Sequence, residues 1–355
     1  MKENGTPIIL YGRLYTKYEA VISDVDTFVD VQPNSVYSTG HEVIVPASGE
    51  TAEDISRASF VAKSGILLGG DLNIIVPDDY INPVFLALTI SNGNQQKELS
   101  KRAQGKSVVH IHNSDLENVV LLYPKYEEQE KIGAFFSKLD RLITLHQRKL
   151  DKLHKVKKSL LEKMFPKNDA DVPEIRFKGF TYAWEQRKLS EISEKVSKKN
   201  QDMVVDEVFT NSAEFGIISQ RDYFDKDIAN SENIDSYYIV EPNDFVYNPR
   251  ISTLAPFGPV RRNKLDKSGA MSPLYYVFRT HNVDCGYLEY FFKTNRWHSF
   301  MHLNGNSGAR SDRFAIRDEV FRDMPISMPQ DIVEQKKVGD FFSTLELAIT
   351  LHQRK

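Results

Sequence analysis

Apolar residues, with one histidine among them, recur in alternating steps of four and three between residues 127 and 165. The positions are Ile132, Phe136, Leu139, Ile143, His146, Leu150, Leu153, Leu160 and Met164, with Lys157 filling the one gap. Such a heptad seam is typical of a helix in a coiled coil. Because Pro166 is the first proline after the run begins, the pattern predicts one helix of roughly 36 residues, about 54 Å long.

The same pattern returns near the end of the chain. Residues 128–149 and 334–355 are identical at 15 of 22 positions, at a constant offset of 206. The chain therefore contains two copies of one unit, and we expect the two seams to pack on each other in antiparallel order, because neither is stable alone in water. His146 and His352 occupy matching seam positions, which favours a register-setting polar residue over a pH switch.

Short β-branched runs and short helical runs fill the rest of the chain. Helices are predicted at Pro83–Ile90 and Tyr287–Trp297, and strands include Phe245–Tyr247. We predict an α+β protein in which two mixed α/β domains are joined by two long helices packed as an antiparallel coiled coil, with a pseudo-twofold repeat. The predicted division is a first domain at 1–126, a first long helix at 127–166, a linker at 167–183, a second domain at 184–329 and a second long helix at 330–355.

Composition narrows the function. The net charge is -3, so any nucleic-acid binding depends on local patches of charge. Cys285 is the only cysteine, which excludes an internal disulfide and a cysteine-rich zinc site and fits a reducing, cytoplasmic location. No apolar stretch approaches the length of a membrane span.

Catalytic motifs are weak. The sequence has no glycine-rich phosphate loop and no His-Glu-x-x-His zinc helix, and His110 and His112 have no evident third ligand, so we predict no metal and no catalytic residue. Asp331, Glu334 and Lys336 resemble the acidic set of a nuclease, but their spacing at a helix start favours a capping box.

Basic loops containing glycine follow a helix in each domain. Glycine allows the backbone to approach a phosphate, lysine and arginine neutralise it, and arginine and asparagine read base edges. We predict DNA contacts from Lys101, Arg102, Lys106 and Ser107 in the first domain. From the second domain we predict contacts from Arg250, Arg310 and Arg313, and from Arg262 in the cationic turn 261–264.

Several segments resemble the specificity (S) subunit of type I restriction-modification systems. The most specific are the Glu-Gln-x-Lys-Ile/Val-Gly-x-Phe-Phe openings of the two long helices. The others are Pro46–Ile55, Gly70–Ile75, Ala103–Gly105 through His110, Trp184–Leu189, Asp244–Arg250 and Gly308–Arg310 onward.

The resemblance implies a non-catalytic subunit with two target-recognition domains, each reading one half of a bipartite DNA site. It implies that the paired helices set the spacing and dock two methyltransferase subunits, which motor-nuclease subunits then join. S-adenosylmethionine is expected in the methyltransferase partner, and no cofactor is expected in this chain. The bases recognised and the spacer length are not predictable from the sequence.

The offset also predicts that about a fifth of a complete two-copy unit lies outside the sequence. The segment 175–190 has no counterpart before Met1, and the continuation Leu150–Met164 has none after Lys355. Two alternatives remain open: a stand-alone DNA nuclease, and a coiled-coil scaffold without a DNA role.

Overall fold

The computed structural model describes residues 5–31, 33–105, 107–167, 170–223, 231–307 and 312–353. The chain divides into two compact units, Met1–Gln147 (unit 1) and Arg148–Lys355 (unit 2). Helices and strands mix in both units, as the predicted class requires. The domain boundaries predicted from the sequence stay a prediction.

Unit 1 is built from short strands and helices. Its strands are β1 (Thr6–Ile9), β2 (Val21–Ile22), β3 (Phe28–Val29), β4 (Val36–Tyr37), β5 (Val43–Pro46), β6 (Ser48–Gly49), β7 (Ser59–Val61), β8 (Leu67–Leu68), β9 (Leu72–Ile75) and β10 (Val109–His110). Its helices are α1 (Arg13–Thr16), α2 (Ala52–Ile55), α3 (Pro83–Ile90), α4 (Gly93–Arg102), α5 (Asn113–Glu117) and the first part of α6 (Tyr126–Lys163).

The strands of unit 1 form sheets of order β3-β1-β8-β4 and β2-β7-β5-β9, with β10 paired to β6. The β1–β8 and β2–β7 pairs are parallel, and the others are antiparallel. Helix α3 has the predicted bounds because Asn82 Oδ1 accepts hydrogen bonds from the amides of Val84 and Phe85, and Pro83 stands at the first helical position.

Unit 2 begins within α6. Its strands are β11 (Glu185–Lys188), β12 (Ser193–Lys195), β13 (Phe209–Ser212), β14 (Gly216–Ser219), β15 (Tyr238–Val240), β16 (Phe245–Tyr247), β17 (Val260–Arg262), β18 (Gly269–Met271), β19 (Tyr276–Thr280), β20 (Asn306–Ser307), β21 (Phe314–Ala315) and β22 (Pro325–Met328). Its helices are α7 (Leu189–Ile192), α8 (Gln220–Tyr223), a 3₁₀ turn (Ser231–Ser236), α9 (Cys285–Phe291), α10 (His298–Asn304), α11 (Asp318–Arg322) and α12 (Ile332–Gln353).

An antiparallel sheet of order β12-β19-β16-β17 is the centre of unit 2, and β11-β22, β13-β14, β15-β18 and β20-β21 form separate pairs. The predicted helix Tyr287–Trp297 is wrong in its second half, because α9 ends at Phe291. There the Thr294 hydroxyl donates to the Phe291 carbonyl at 2.6 Å, and Trp297 Nε1 donates to the Phe292 carbonyl at 3.2 Å. These side chains bind carbonyls at the helix end and help to stop it.

The end of α6 packs on α12 within unit 2. Met164 and Phe165 share one core cluster with Val338 and Phe342, and the rings of Phe165 and Phe342 lie 6.2 Å apart. Lys157, further back on α6, pairs with Glu346, further along α12. Residue numbers thus run in opposite directions along this contact.

The first half of the α6 seam differs from the prediction. In unit 1, Phe136, Leu139 and Ile143 are 42, 41 and 46% exposed, whereas Phe342 and Ile349 of α12 are buried. The sequence repeat therefore does not produce equal burial of the two seams.

The repeated glutamine ties each long helix to a short one. Gln129 Oε1 accepts a hydrogen bond from the amide of Asn82, and Gln335 Oε1 accepts one from the amide of Asp284, both at 2.9 Å. Asn82 and Asp284 are the N-cap residues of α3 and α9. The repeated Gln is therefore structural, and it fixes where the first turn of each long helix meets its own unit.

The repeated glycine lies four residues further on. A Cβ on Gly339 would lie 2.9 Å from backbone atoms of Gly286 and Tyr287, and one on Gly133 would lie 3.3 Å from the Val84 side chain. Glycine is needed at position 339 because the backbone of α9 passes directly over it.

Candidate nucleic-acid interface

Arg250 and Arg313, predicted separately as DNA contacts, are neighbours in unit 2. The amide of Ile251 donates to the carbonyl of Asp312 at 3.0 Å, and the amide of Phe314 donates to the carbonyl of Pro249 at 2.8 Å. An antiparallel β-bridge therefore joins Arg250 to Arg313. The structure brings together two loops that lie about 60 residues apart in sequence.

The turn that carries Arg250 is rigidly held. Asn248 Nδ2 donates to the carbonyl of Asn211 at 2.8 Å, and Asn248 Oδ1 accepts from the amide of Arg250 at 2.9 Å. The side chain of Arg250 stays 66% exposed and lies 3.8 Å from the Asp312 carboxylate. An exposed pair at that distance is weak, so the Arg250 guanidinium remains available to a stronger anion such as a phosphate.

A groove of about 820 Å³ opens beside this bridge. Gly305 lies on its wall, where a Cβ would approach the Phe314 ring to 2.3 Å, so only glycine allows the β20–β21 hairpin to close on that ring. The groove is lined by Pro249, Leu303, Asn304, Gly305, Asn306, Arg313, Phe314, Ala315, Ile316, Arg317 and Val320. Cationic and amide side chains above a buried aromatic ring suit contact with phosphates and base edges.

Arg317 was missed as a candidate by the sequence analysis. It is the N-cap residue of α11 and lines the same groove as Arg313. Its sequence signal is its position four residues after Arg313, just beyond the loop that was selected. Arg310 lies outside the described residues.

Arg262 has a different environment from Arg250 and Arg313. It lies in strand β17, and its Nη2 is 2.8 Å from the carboxylate of buried Glu289, while Nη1 donates to Asn243 Oδ1 at 3.2 Å. The predicted cationic turn is therefore partly a strand, and Glu289 also binds Lys264 and Lys293. These contacts favour a structural role for Arg262, and its DNA contact stays a prediction.

Burial and charge act in opposite directions on Glu289. Burial alone would raise its pKa, but Lys293, Lys264 and Arg262 reverse this and lower the pKa below its usual range. The carboxylate is therefore ionised at neutral pH and holds the three cations within unit 2.

The predicted contacts of the first domain surround a tight loop. Lys101 and Arg102 end α4, where Lys101 pairs with Glu98 at 3.0 Å and Arg102 Nη2 donates to the carbonyl of Asn118 at 3.1 Å. Ser107 is exposed, and Lys106 lies outside the described residues. Lys101, on the surface, is the more accessible cation of the two.

Gly105 and a backbone bridge close this loop. Gln104 and His110 exchange two backbone hydrogen bonds of 3.1 and 2.8 Å, and a Cβ on Gly105 would lie 2.0 Å from the carbonyl of Val108. Gly105 has a φ of +134°, in the region that favours glycine. The loop thus has a fixed backbone with exposed polar positions on either side.

The nuclease-like residues do not form an open acidic site. Glu334 is 2% exposed, and its carboxylate accepts hydrogen bonds from Arg176 Nε at 2.7 Å and from Trp184 Nε1 at 3.3 Å. The predicted capping box is therefore only half correct, since Asp331 Oδ1 accepts from the amide of Val333 while the Glu334 side chain turns inward. Among the described residues, no group of three or more His, Cys, Asp or Glu side chains is placed to hold a metal. A search of the described helices also finds none with the length and hydropathy of a membrane span.

Comparisons with known proteins bear directly on the predicted family. Residues 42–155 match the model of the type I restriction modification DNA specificity domain. The type I restriction enzyme MjaVIII specificity subunit of Methanocaldococcus jannaschii is 23% identical over 140 residues, which is 39% of this chain and 32% of that protein. The match thus spans about a third of the length of this curated relative.

Two solved structures cover most of the chain. The S subunit of a type I restriction-modification system from M. genitalium has a TM-score of 0.55 at 10% identity, covering 99% of this chain and 88% of that one. The HsdS subunit from Thermoanaerobacter tengcongensis has a TM-score of 0.46 at 15% identity, covering 90% and 76%. The resemblance predicted from the sequence is confirmed: residues 42–155 carry a type I restriction-modification DNA specificity domain, in a chain with the fold of a specificity subunit.

Proposed function

We propose that this chain is the DNA sequence-recognition subunit of a type I restriction-modification enzyme. It is non-catalytic, and each of its two domains reads one half of a bipartite DNA site. The observation that carries the proposal is the specificity-domain match over residues 42–155. The juxtaposition of Arg250 and Arg313 beside an open polar groove supports it in unit 2.

In unit 2, DNA binds across the Arg250–Arg313 bridge. The antiparallel bridge holds both side chains on adjacent strands, so the two guanidinium groups act together on one stretch of duplex. Asn304, Asn306 and Arg317 line the groove and supply amide and cationic groups for base edges and phosphates. In unit 1, Lys101 and Ser107 flank the loop closed by Gly105 and make the corresponding contacts, and Arg102 positions that loop.

The two long helices pack as an antiparallel coiled coil that sets the distance between half-sites. The contacts of Phe165 with Phe342, and of Lys157 with Glu346, support this arrangement within unit 2. A 38-residue helix is about 57 Å long at about 1.5 Å per residue. That length matches about 17 base pairs at about 3.4 Å each. A rigid spacer lets two weak readers act with high effective concentration on one site.

The helices also dock two methyltransferase subunits, and motor-nuclease subunits join through them. S-adenosylmethionine belongs to the methyltransferase partner, this chain needs no cofactor, and the complex works in the cytoplasm. Co-purification tests the docking. A folded chain that retains no methyltransferase subunit when the two are co-expressed would contradict it.

A methylome from cells carrying the complete system tests the reading function. We expect a motif of two short half-sites separated by a gap of fixed length, and a single continuous motif would contradict the proposal. Full-length chain with a labelled duplex of that motif then tests the residues. Arg250→Ala and Arg313→Ala should each weaken specific binding by about 1–3 kcal/mol.

Arg187→Ala is the matched control, since it also removes one partly exposed guanidinium but does not line the groove. Its binding should equal that of the wild type once the salt concentration is matched. Unchanged affinity in both groove variants would remove the groove from the interface. DNA cleavage by purified chain with Mg²⁺ alone would favour a nuclease, and the absence of salt-dependent DNA affinity would favour a scaffold.

A further inference from the structure

Each unit has a short segment between its last small helix and its long helix. In unit 2 this segment is β22, which pairs antiparallel with β11 so that Glu185 faces Met328 and Lys188 faces Pro325. In unit 1 it is Val120–Tyr123, between α5 and α6. None of the described residues hydrogen-bonds to the backbone of this segment, and no strand is assigned there.

The two segments correspond residue by residue. Each follows a five-residue helix and ends at a proline whose carbonyl accepts a hydrogen bond from the repeated glutamine, at 2.9 Å for Pro124 and 2.8 Å for Pro329. Counting back from these prolines, Tyr123 matches Met328, Leu122 matches Ser327, Leu121 matches Ile326 and Val120 matches Pro325.

Their burial differs sharply. In unit 2, Ile326 is 0% exposed and Met328 is 1% exposed. In unit 1, Leu121 is only half-buried and Tyr123 is 49% exposed, while Val120 and Leu122 are each 76% exposed. An apolar segment with free backbone groups is a template for another strand.

A cavity of about 270 Å³ lies behind the unit 1 segment. Its lining includes Leu86, Ile90, Leu116, Val119 and Leu121. By the same alignment of N-caps and prolines, the counterparts of these residues are Leu288, Phe292, Phe321, Met324 and Ile326, which all belong to the main core of unit 2. That core also contains Leu189 and Ile192, both fully buried, which follow β11 directly. The cavity is therefore lined by counterparts of the side chains that share a core with Leu189 and Ile192.

The carboxylates of the repeat show the same difference. Glu334 in unit 2 is buried and bound by Arg176 and Trp184. Its counterpart in unit 1, Glu128, is exposed and has no ion pair with any described residue. A segment that brings an arginine and an indole to Glu128 would restore the arrangement seen in unit 2.

We propose that Val119–Tyr123 of unit 1 is an acceptor site for a β-strand supplied in trans by a polypeptide with the chemistry of Arg176–Ile192. The strand pairs antiparallel with Val120–Tyr123. Its arginine and tryptophan bind Glu128, and the leucine and isoleucine after the strand fill the cavity. This site is independent of DNA contacts and therefore goes beyond the proposed function.

A synthetic peptide with the sequence of Arg176–Ile192, labelled at its N-terminus, tests the site on the full-length chain by fluorescence anisotropy. We expect saturable binding with one peptide per chain. Leu121→Asp should weaken it at least about tenfold, because a carboxylate would then face the apolar cavity. Peptide that fails to saturate the chain at about 1 mM would overturn the proposal.

The ion pair gives a sharper test. Glu128→Gln should weaken binding about three- to tenfold, whereas Glu127→Gln, the adjacent exposed carboxylate, should leave it unchanged. A peptide with Arg176→Ala should bind wild-type chain more weakly but should bind the Glu128→Gln chain no worse than the unmodified peptide does. Independent effects of the two changes would mean that Arg176 and Glu128 do not meet.

Two further measurements cover unintended outcomes. Peptide binding that survives Leu121→Asp would indicate exchange with β11 in unit 2, and it would overturn the assignment to unit 1. Hydrogen exchange on the wild-type chain avoids any effect of substitution on folding. The amides of residues 120–123 should become protected when peptide is added, and unchanged exchange there would reject strand pairing.

Discussion

Lys157 of α6 donates a hydrogen bond of 2.5 Å to Glu346 of α12, and both side chains are more than three-quarters buried. Glu346 also accepts from Lys293 at 2.8 Å and from the Tyr290 hydroxyl at 2.9 Å. One carboxylate thus joins the end of α6 to α12 and to the region around α9. A buried carboxylate held by two ammonium groups makes the packing of α6 on α12 sensitive to acid.

This carboxylate predicts a pH dependence for the stability of unit 2. Burial alone would raise the pKa of Glu346, but Lys293 and Lys157 lower it to about 2. Because the pKa is lower in the folded state, the stabilisation is present above about pH 4.5 and is lost as the pH falls towards 2, with an upper limit of about 3 kcal/mol. Both tryptophans, Trp184 and Trp297, lie in unit 2, so their fluorescence during urea unfolding reports this unit alone.

Glu346→Gln should remove most of that pH dependence between pH 4.5 and 2. It should also lower the free energy of unfolding at pH 7, since two buried ammonium groups lose their counter-charge. Glu191→Gln, at an exposed glutamate of the same unit, is the matched control and should retain the wild-type curve. Parallel curves for wild type and Glu346→Gln would mean that this carboxylate does not carry the effect.

The repeated glycine predicts an asymmetry between the units. Gly339→Ala places a Cβ 2.9 Å from backbone atoms of α9, which cannot move aside as a side chain does. We expect a loss of about 1–3 kcal/mol from overpacking, only partly offset by the better helix propensity of alanine. Gly133→Ala meets only the Val84 side chain, and its net effect should be close to zero. Thermal unfolding of both variants decides this, and an equal loss in the two would be the contrary result.

The repeated glutamine predicts a loss of stability without any change of charge. Gln335→Leu leaves the amide of Asp284 and the carbonyl of Pro329 without their partner in a buried place. Each unsatisfied group costs about 1–3 kcal/mol, so the free energy of unfolding of unit 2 should fall by about 2–4 kcal/mol. Gln353→Leu changes an exposed glutamine on the same helix and should have little effect. Tryptophan fluorescence in urea measures both, and similar values for the two variants would argue against the tie.

The sequence predicted the long helices and their repeat because a heptad seam is a local, periodic signal. It also singled out Gln129, Gly133 and their copies as part of a specific motif. It did not predict their role, because each contacts the N-terminus of a short helix about 50 residues earlier. Such contacts depend on the fold and leave no periodic trace in the sequence.

The candidate interface shows the same limit in its charges. Arg250 and Arg262 both follow a strand-like run and look alike in sequence. They differ only because Glu289, 27 residues after Arg262, is buried against one of them. The sequence therefore identified the loops correctly as cationic, but it had no signal for which cation is neutralised within the fold.

Arg262 gives the last prediction, which separates folding from DNA contact. Arg262→Met removes one of three cations from buried Glu289 and also the hydrogen bond to Asn243. We expect unit 2 to lose about 2–3 kcal/mol, less than the full cost of an unpaired buried charge, because Lys264 and Lys293 remain. The affinity of the folded variant for cognate DNA should match that of the wild type at 10 °C. Arg313→Ala is the comparison, and it should weaken DNA binding while the unfolding curve stays unchanged. If Arg262→Met instead weakens binding by about 1–3 kcal/mol without loss of stability, its guanidinium leaves Glu289 to contact DNA, as the sequence alone predicted.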